Sequence, residues 1–146
     1  MFKLKLMNQH SKPPTRATDG SVAFDCYADL GGEGRVVELR PGDRQLIGLG
    51  FAIALDKERA AVLAPRSGLG SKGLILSNTI GIIDMDYRQE VMAMMFNASN
   101  KAVHVIKHGD RICQMMISVV DTSGFQIVGD LDKTERLGGF GSTGIS

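Results

Sequence analysis

The chain has 146 residues, 43% of them hydrophobic, with 18 glycines, 4 prolines, 6 phenylalanines, 2 tyrosines and no tryptophan. Glycine at about 12% exceeds the roughly 7% of average proteins but lacks a collagen period, and the apolar content is too high for a disordered chain. Seventeen basic against sixteen acidic residues leave a formal charge of +1, which excludes the large electrostatic footprint of a binder of duplex nucleic acid or anionic membrane.

This length suits one domain with its own core. No apolar run approaches the roughly 18–20 residues that a membrane span needs. Residues 1–6 alternate Phe2, Leu4 and Leu6 with Lys3 and Lys5, a strand pattern and not the continuous apolar stretch of a signal peptide. A soluble, cytoplasmic protein is expected. Cys26 and Cys113 are far apart in sequence. One disulfide could join them, but two core thiols in a reducing compartment fit better.

Strands are predicted over residues 2–6, 36–39, 46–55, 60–64, 74–77, 91–97, 102–106, 112–120 and 125–128. Turn signals separate them: Pro41-Gly42-Asp43, Asp56-Lys57-Glu58, residues 97–100, His108-Gly109-Asp110 and residues 121–124. Short strands with regular turns point to an all-β sandwich or barrel. The segment 91–96 is apolar on both faces, as a buried or subunit-contact strand would be. Residues 56–64 are the best candidate for a single short helix, closed by Pro65. Residues 135–146 hold four glycines and one aromatic, Phe140, and read by composition as a flexible tail. The domain division is therefore 1–134 and 135–146.

Gly68-Leu69-Gly70-Ser71-Lys72-Gly73 matches the glycine pattern of dinucleotide-binding loops. That mechanism needs a following helix whose amides meet a pyrophosphate, and residues 74–81 are too short and β-like to supply it. A Gly-rich β-turn is the plainer reading. A third reading is that Pro65-Arg66-Ser67-Gly68 sets a guanidinium, a hydroxyl and unhindered amides side by side, the groups that hold phosphate oxygens. In Asp84-Met85-Asp86-Tyr87 an extended chain would put the two carboxylates on one face. Such a pair is ordinarily a solvated cap; the functional reading is a carboxylate that takes a proton from an attacking water or helps hold Mg²⁺. Asp25 interrupts an apolar patch between Phe24 and Cys26 and is either a strand end or functional. His104 and His108 lie on a strand-like segment without the Glu of a metalloprotease motif, so surface histidines are the plainer reading. The methionines are read as adaptable core and interface filling.

Together these segments resemble the trimeric deoxyuridine triphosphate nucleotidohydrolase (dUTPase) family, whose five motifs occur here in order. Residues 21–28 (SVAFDCYA) resemble the first, residues 64–73 (APRSGLGSKG) the second and residues 78–88 (NTIGIIDMDYR) the third. Gly109-Asp110-Arg111-Ile112-Cys113-Gln114 is similar to the fourth, and residues 136–144 to the fifth. The resemblance implies an all-β jelly roll, assembled as a homotrimer with active sites at subunit interfaces. It implies hydrolysis of dUTP to dUMP and pyrophosphate with Mg²⁺, with no nucleic-acid polymer or membrane as partner. Asp84 would deprotonate the water that attacks the α-phosphorus. Asn78 and the backbone at Ile82 and Ile83 would bind uracil, with Met92 lining that pocket, and Tyr87 would pack under the deoxyribose. Arg66, Ser67, Gly68 and Gln114 would hold phosphates, and Asp25 would meet Mg²⁺ through water. Phe140 would stack over uracil, with Arg136, Gly141, Ser142 and Thr143 closing on the terminal phosphate. The glycines at 68–73 and 138–144 would allow close backbone approach to phosphates. Departures are Ala23 for the usual Gly, Cys26 for Leu, Gln89 for Gly, and an Arg136–Phe140 spacing one residue shorter than the family's. Alternative readings are a dCTP deaminase of the same fold, against which Tyr87 speaks, and a nucleotide-sensing regulatory module, against which Asp84 speaks.

Overall fold

A strand of four to six residues can bury one face only, so a chain of short alternating segments must turn back repeatedly to close a core. A computed structural model describes residues 1–135. In chain order the elements are β1 (Lys3–Leu6), β2 (Phe24–Tyr27), β3 (Val36–Leu39), β4 (Arg44–Gly48), β5 (Phe51–Ala54) and β6 (Arg59–Pro65). They continue with α1 (Ser67–Gly70), β7 (Leu74–Leu76), β8 (Gly81–Ile83), β9 (Met92–Asn97), β10 (His104–Lys107) and β11 (Arg111–Val119). Every strand pair is antiparallel. β1 pairs with β5 and β3 with β10, while β4-β9-β7 and β2-β11-β6-β8 form the two larger sheets. This is the all-β, jelly-roll-like architecture that the sequence predicts, with one helical turn.

The core between the sheets is apolar. Cys26, Leu49, Phe51, Ala61, Val91, Met95, Cys113 and Met115 are fully buried, and each large apolar side chain so removed from water contributes about 1.5–3 kcal/mol. Met95 and Met115 fill core space, whereas Met92 and Met116 remain half-exposed. β9 presents Ala93 and Met95 to the core and Met92, Met94 and Phe96 to the other face, where the Arg44 guanidinium lies 4.6 Å from the Phe96 ring.

Several expectations change. The predicted strand 46–55 breaks after Gly48, because Gly50 takes φ +74° and a side chain there would strike the Asp29 carboxylate and come within 2.8 Å of Ser11 Oγ. The predicted helix 56–64 is instead a turn leading into β6, whose two edges are bonded to β11 and β8. The helical turn falls at α1. Phe125 and Ile127 are 91% and 88% exposed, and segment 125–128 forms no strand because no other strand among the described residues pairs with it. β2 and β8, each flanked by turns and too short for a clear period, are absent from the predicted strands. Gly73 owes its place to packing: at φ +85° its missing side chain lets the Ser99 backbone approach.

Candidate active site

The register of the large sheet gathers the first group of polar residues. Gln114 on β11 faces Asp25 on β2 on one side and Ala64 on β6 on the other. β6 then ends at Pro65, so Arg66 and the α1 turn project beside them. Asp25 is largely buried; its Oδ1 accepts from Arg66 Nε at 2.8 Å and its Oδ2 from an Arg111 guanidinium nitrogen at 3.0 Å. Gln114 Nε2 donates to the Pro65 carbonyl at 2.9 Å. Ser67 and Gly68 open α1, ahead of the first amides to bond back within it, and a side chain built at Gly68 would meet nothing within 4 Å. Asp25, Arg66, Ser67, Gly68, Arg111 and Gln114 thus line one open cavity, walled by Ser21, Val22 and Ala23. Two guanidiniums against one carboxylate leave it a net positive charge, suited to a polyanion.

Arg111 belongs to this cradle although alternation along β11 does not reveal it. The register shifts between Arg111 and Cys113, so Ile112 and Cys113 are both buried in succession and Arg111 comes out on the face of Gln114. Its position in Gly109-Asp110-Arg111, three residues before Gln114, is the sequence signal that could have found it.

A second group gathers on β8, an outer strand of the same sheet. β8 pairs with β6 through Val62–Ile82 and Ala61–Ile83, and Asp84 follows directly in a turn closed by Tyr87 N–H donating to the Asp84 carbonyl at 3.1 Å. Asp84 and Asp86 are exposed while Met85 packs on the core; the segment is a turn and not the extended chain of the sequence reading. Ile82, Asp84 and Asp86 line a separate cavity with Arg59 and Thr122. Asn78 is exposed in the turn between β7 and β8. Its neighbour Thr79 has φ +67°, a left-handed conformation that costs a β-branched residue about 1–3 kcal/mol and persists where the surroundings enforce it. Met92 sits on β9, in the other large sheet from Ile82.

A family model described as dUTPase matches residues 9–144. The chain belongs to the dUTPase family. Among relatives named deoxyuridine 5'-triphosphate nucleotidohydrolase, that of Hahella chejuensis is 49% identical and that of Escherichia coli K12 is 42% identical, each over 134 residues, 90% of this chain and 86% of the relative. Among solved structures, a mutant of the Staphylococcus bacteriophage 80alpha dUTPase with dUpNHpp is 20% identical, with TM-score 0.86 over 99% of both chains. A mutant dUTPase from phage phi11 of S. aureus, described with a structural Mg(II) ion, is 18% identical with TM-score 0.79, over 91% of this chain and 99% of that one. These two likenesses carry the fold. The names of the relatives do not favour the dCTP deaminase reading.

Other features of this dUTPase-family chain fall outside the cavity. The cysteines are free and buried, and they face each other across β2 and β11. The neighbouring Cys113 thiol and burial together push the Cys26 thiol far above its ordinary range. His108 is not a surface residue: its ring is 6% exposed, 3.7 Å from Asp29, and its Nδ1 accepts from the Leu30 amide at 3.1 Å. His104 Nε2 lies 2.9 Å from the Lys72 carbonyl. Among the described residues, no three His, Cys, Asp or Glu side chains are placed to cage a metal. Arg136, Phe140, Gly141, Ser142 and Thr143 lie outside the described residues.

Proposed function

We propose that this chain hydrolyses dUTP to dUMP and pyrophosphate by attack of water on the α-phosphorus, in a homotrimer whose sites are shared between copies. The observation that carries the reading is the register of β2, β11 and β6, which converges Asp25, Gln114 and Arg66-Ser67-Gly68 on one cationic cavity. Arg66, the Ser67 hydroxyl, the Gly68 amide and Gln114 bind phosphate oxygens, with Arg111 adding charge. Asp84 orients the water and accepts its proton. Asn78 and the backbone at Ile82 and Ile83 read the uracil edge, with Met92 lining the pocket. Tyr87 lies under the deoxyribose and excludes a 2′-hydroxyl by shape. The tail, through Arg136, Phe140, Gly141, Ser142 and Thr143, closes over the nucleotide.

Distance supports the sharing. β8 lies next to β6 with Ile83 opposite Ala61, so Asp84 stands level with Ala60, roughly 20 Å along the strand from Arg66. A water held by Asp84 must come within about 3–3.5 Å of the α-phosphorus, so the Asp84 of one copy completes the cradle of another. The unpaired apolar segment with Phe125 and Ile127 fits a chain that is finished only on assembly.

Both oxygens of Asp25 are already engaged by arginines, so it suits Mg²⁺ approached through water and carried by the triphosphate, not a cage built by the protein. When bound, Mg²⁺ supplies neutralisation of the phosphate charge. Pyrophosphate release with Mg²⁺ from dUTP, dCTP, dTTP and UTP tests the activity: dUTP alone should turn over rapidly. Asp84→Asn should bind dUTP with turnover reduced about 10²- to 10⁴-fold. Turnover of UTP at the dUTP rate, or an Asp84→Asn enzyme at wild-type rate, overturns the assignment.

A further inference from the structure

The turn that carries Tyr87 is tied to the rest of the molecule at its far end, by Glu90. Tyr87 Oη donates to the Glu90 carbonyl at 2.9 Å. The same peptide unit points its N–H, that of Val91, at the Phe51 carbonyl at 2.8 Å, and the Val91 carbonyl accepts from the Leu49 amide at 3.0 Å. The Glu90 side chain then reaches the β4–β5 corner itself, where Oε1 accepts from the Gly50 amide at 2.9 Å. The corner is shaped to receive it: a side chain at Gly48 would come within 3.1 Å of Glu90 Cδ. By contrast, the other bonds within the turn are local ones, Tyr87 N–H to the Asp84 carbonyl and Arg88 to the carbonyls of Met85 and Tyr87. The corner is in turn rigid, since Gly50 is wedged against Ser11 and Asp29 and its carbonyl accepts from the Met7 amide at 2.9 Å.

We propose that Glu90 is a positioning residue that fixes the height of the Tyr87 ring beneath the sugar and so sets discrimination against a ribonucleotide. The proposal rests on the reading of Tyr87 as the residue under the deoxyribose. A ring that rejects a hydroxyl by shape discriminates only as well as it is held, because displacement by the width of one oxygen removes the clash. The carbonyl that holds Tyr87 is placed by its own peptide unit, and the carboxylate locks that peptide to the corner.

The test is the ratio of kcat/KM for UTP to that for dUTP. Glu90→Ala should raise this ratio about five- to tenfold, and Tyr87→Phe, which keeps the ring and loses the hydroxyl bond, should raise it about fivefold. Glu90→Gln keeps an acceptor for the Gly50 amide and should restore discrimination. Glu90→Asp keeps the charge but shortens the reach, and should relax the ratio even if the alanine variant does not fold. In a Tyr87→Ala background, Glu90→Ala should change the ratio no further. If Tyr87→Ala itself leaves the ratio unchanged, the reading of Tyr87 fails. If Tyr87→Ala relaxes it while Glu90→Ala or Glu90→Asp depresses both substrates equally, Glu90 is merely structural and the proposal is overturned.

Discussion

The Asp29 carboxylate accepts from Ser11 Oγ at 2.6 Å and Asn8 Nδ2 at 2.9 Å through Oδ2, and from the Gly31 amide at 3.0 Å through Oδ1. Burial works to raise its pKa, but the bonds from Ser11, Gly31 and Asn8, with His108 nearby, outweigh burial and hold it below its ordinary 3.8. A carboxyl depressed on folding stabilises the native state above its unfolded pKa, and that stabilisation is lost as pH falls through the folded value. Urea midpoints should therefore fall as pH drops below about 4, and Asp29→Asn should be less stable at neutral pH with a flatter decline into acid. An unchanged slope in the variant would place the acid sensitivity elsewhere. At this scale the sequence is informative about Asp84, Arg66 and Gln114, which stand in distinctive strings. Arg111 also stands in such a string, but its partner lies 86 residues away and no local period exposes it; the sequence is silent about Glu90, whose partner lies 40 residues away.

Asn97 ends β9 fully buried, and none of its polar atoms is wasted. Its Nδ2 donates to the Leu39 and Ala102 carbonyls at 2.8 and 2.7 Å, and its Oδ1 accepts from the Ser99 amide and hydroxyl at 3.0 and 2.6 Å. One side chain thus joins the end of β3, the end of β9 and the turn to β10. Asn97→Ala leaves several buried groups unpaired and should cost about 2–4 kcal/mol in denaturant unfolding; a loss under about 1 kcal/mol would mean that water replaces the amide. Most strands are legible because alternation and turn residues agree. The failures share a cause. Segments 46–55 and 56–64 are decided by Gly50 packing on Asp29 and by the pairing of β6 on both edges, which are tertiary facts. Segment 125–128 has a strand's composition but no partner strand among the described residues.

For the molecule as a whole, the four-stranded sheet holds the cavity lined by Arg66 and Gln114 at the end of β6 and Asp84 beside its start. A complementation experiment reads the consequence. Arg66→Ala and Asp84→Asn chains, each nearly inactive alone, should regain activity when unfolded together and refolded as mixed assemblies, with up to about one quarter of sites carrying both native residues. Absence of any gain would put the whole site within one chain.

The thiol pair between β2 and β11 adds a consequence of a kinetic kind. Cys26 and Cys113 sit directly behind Asp25 and Gln114 in the same two strands, sealed from solvent and held protonated at Cys26. A reagent can meet these sulfurs only when the two strands part, and the strands cannot part without dismantling the floor of the cavity that Asp25 and Gln114 line. The rate of thiol labelling in the native protein is therefore a clock for the opening of that floor, and any nucleotide that settles on the floor should slow the clock.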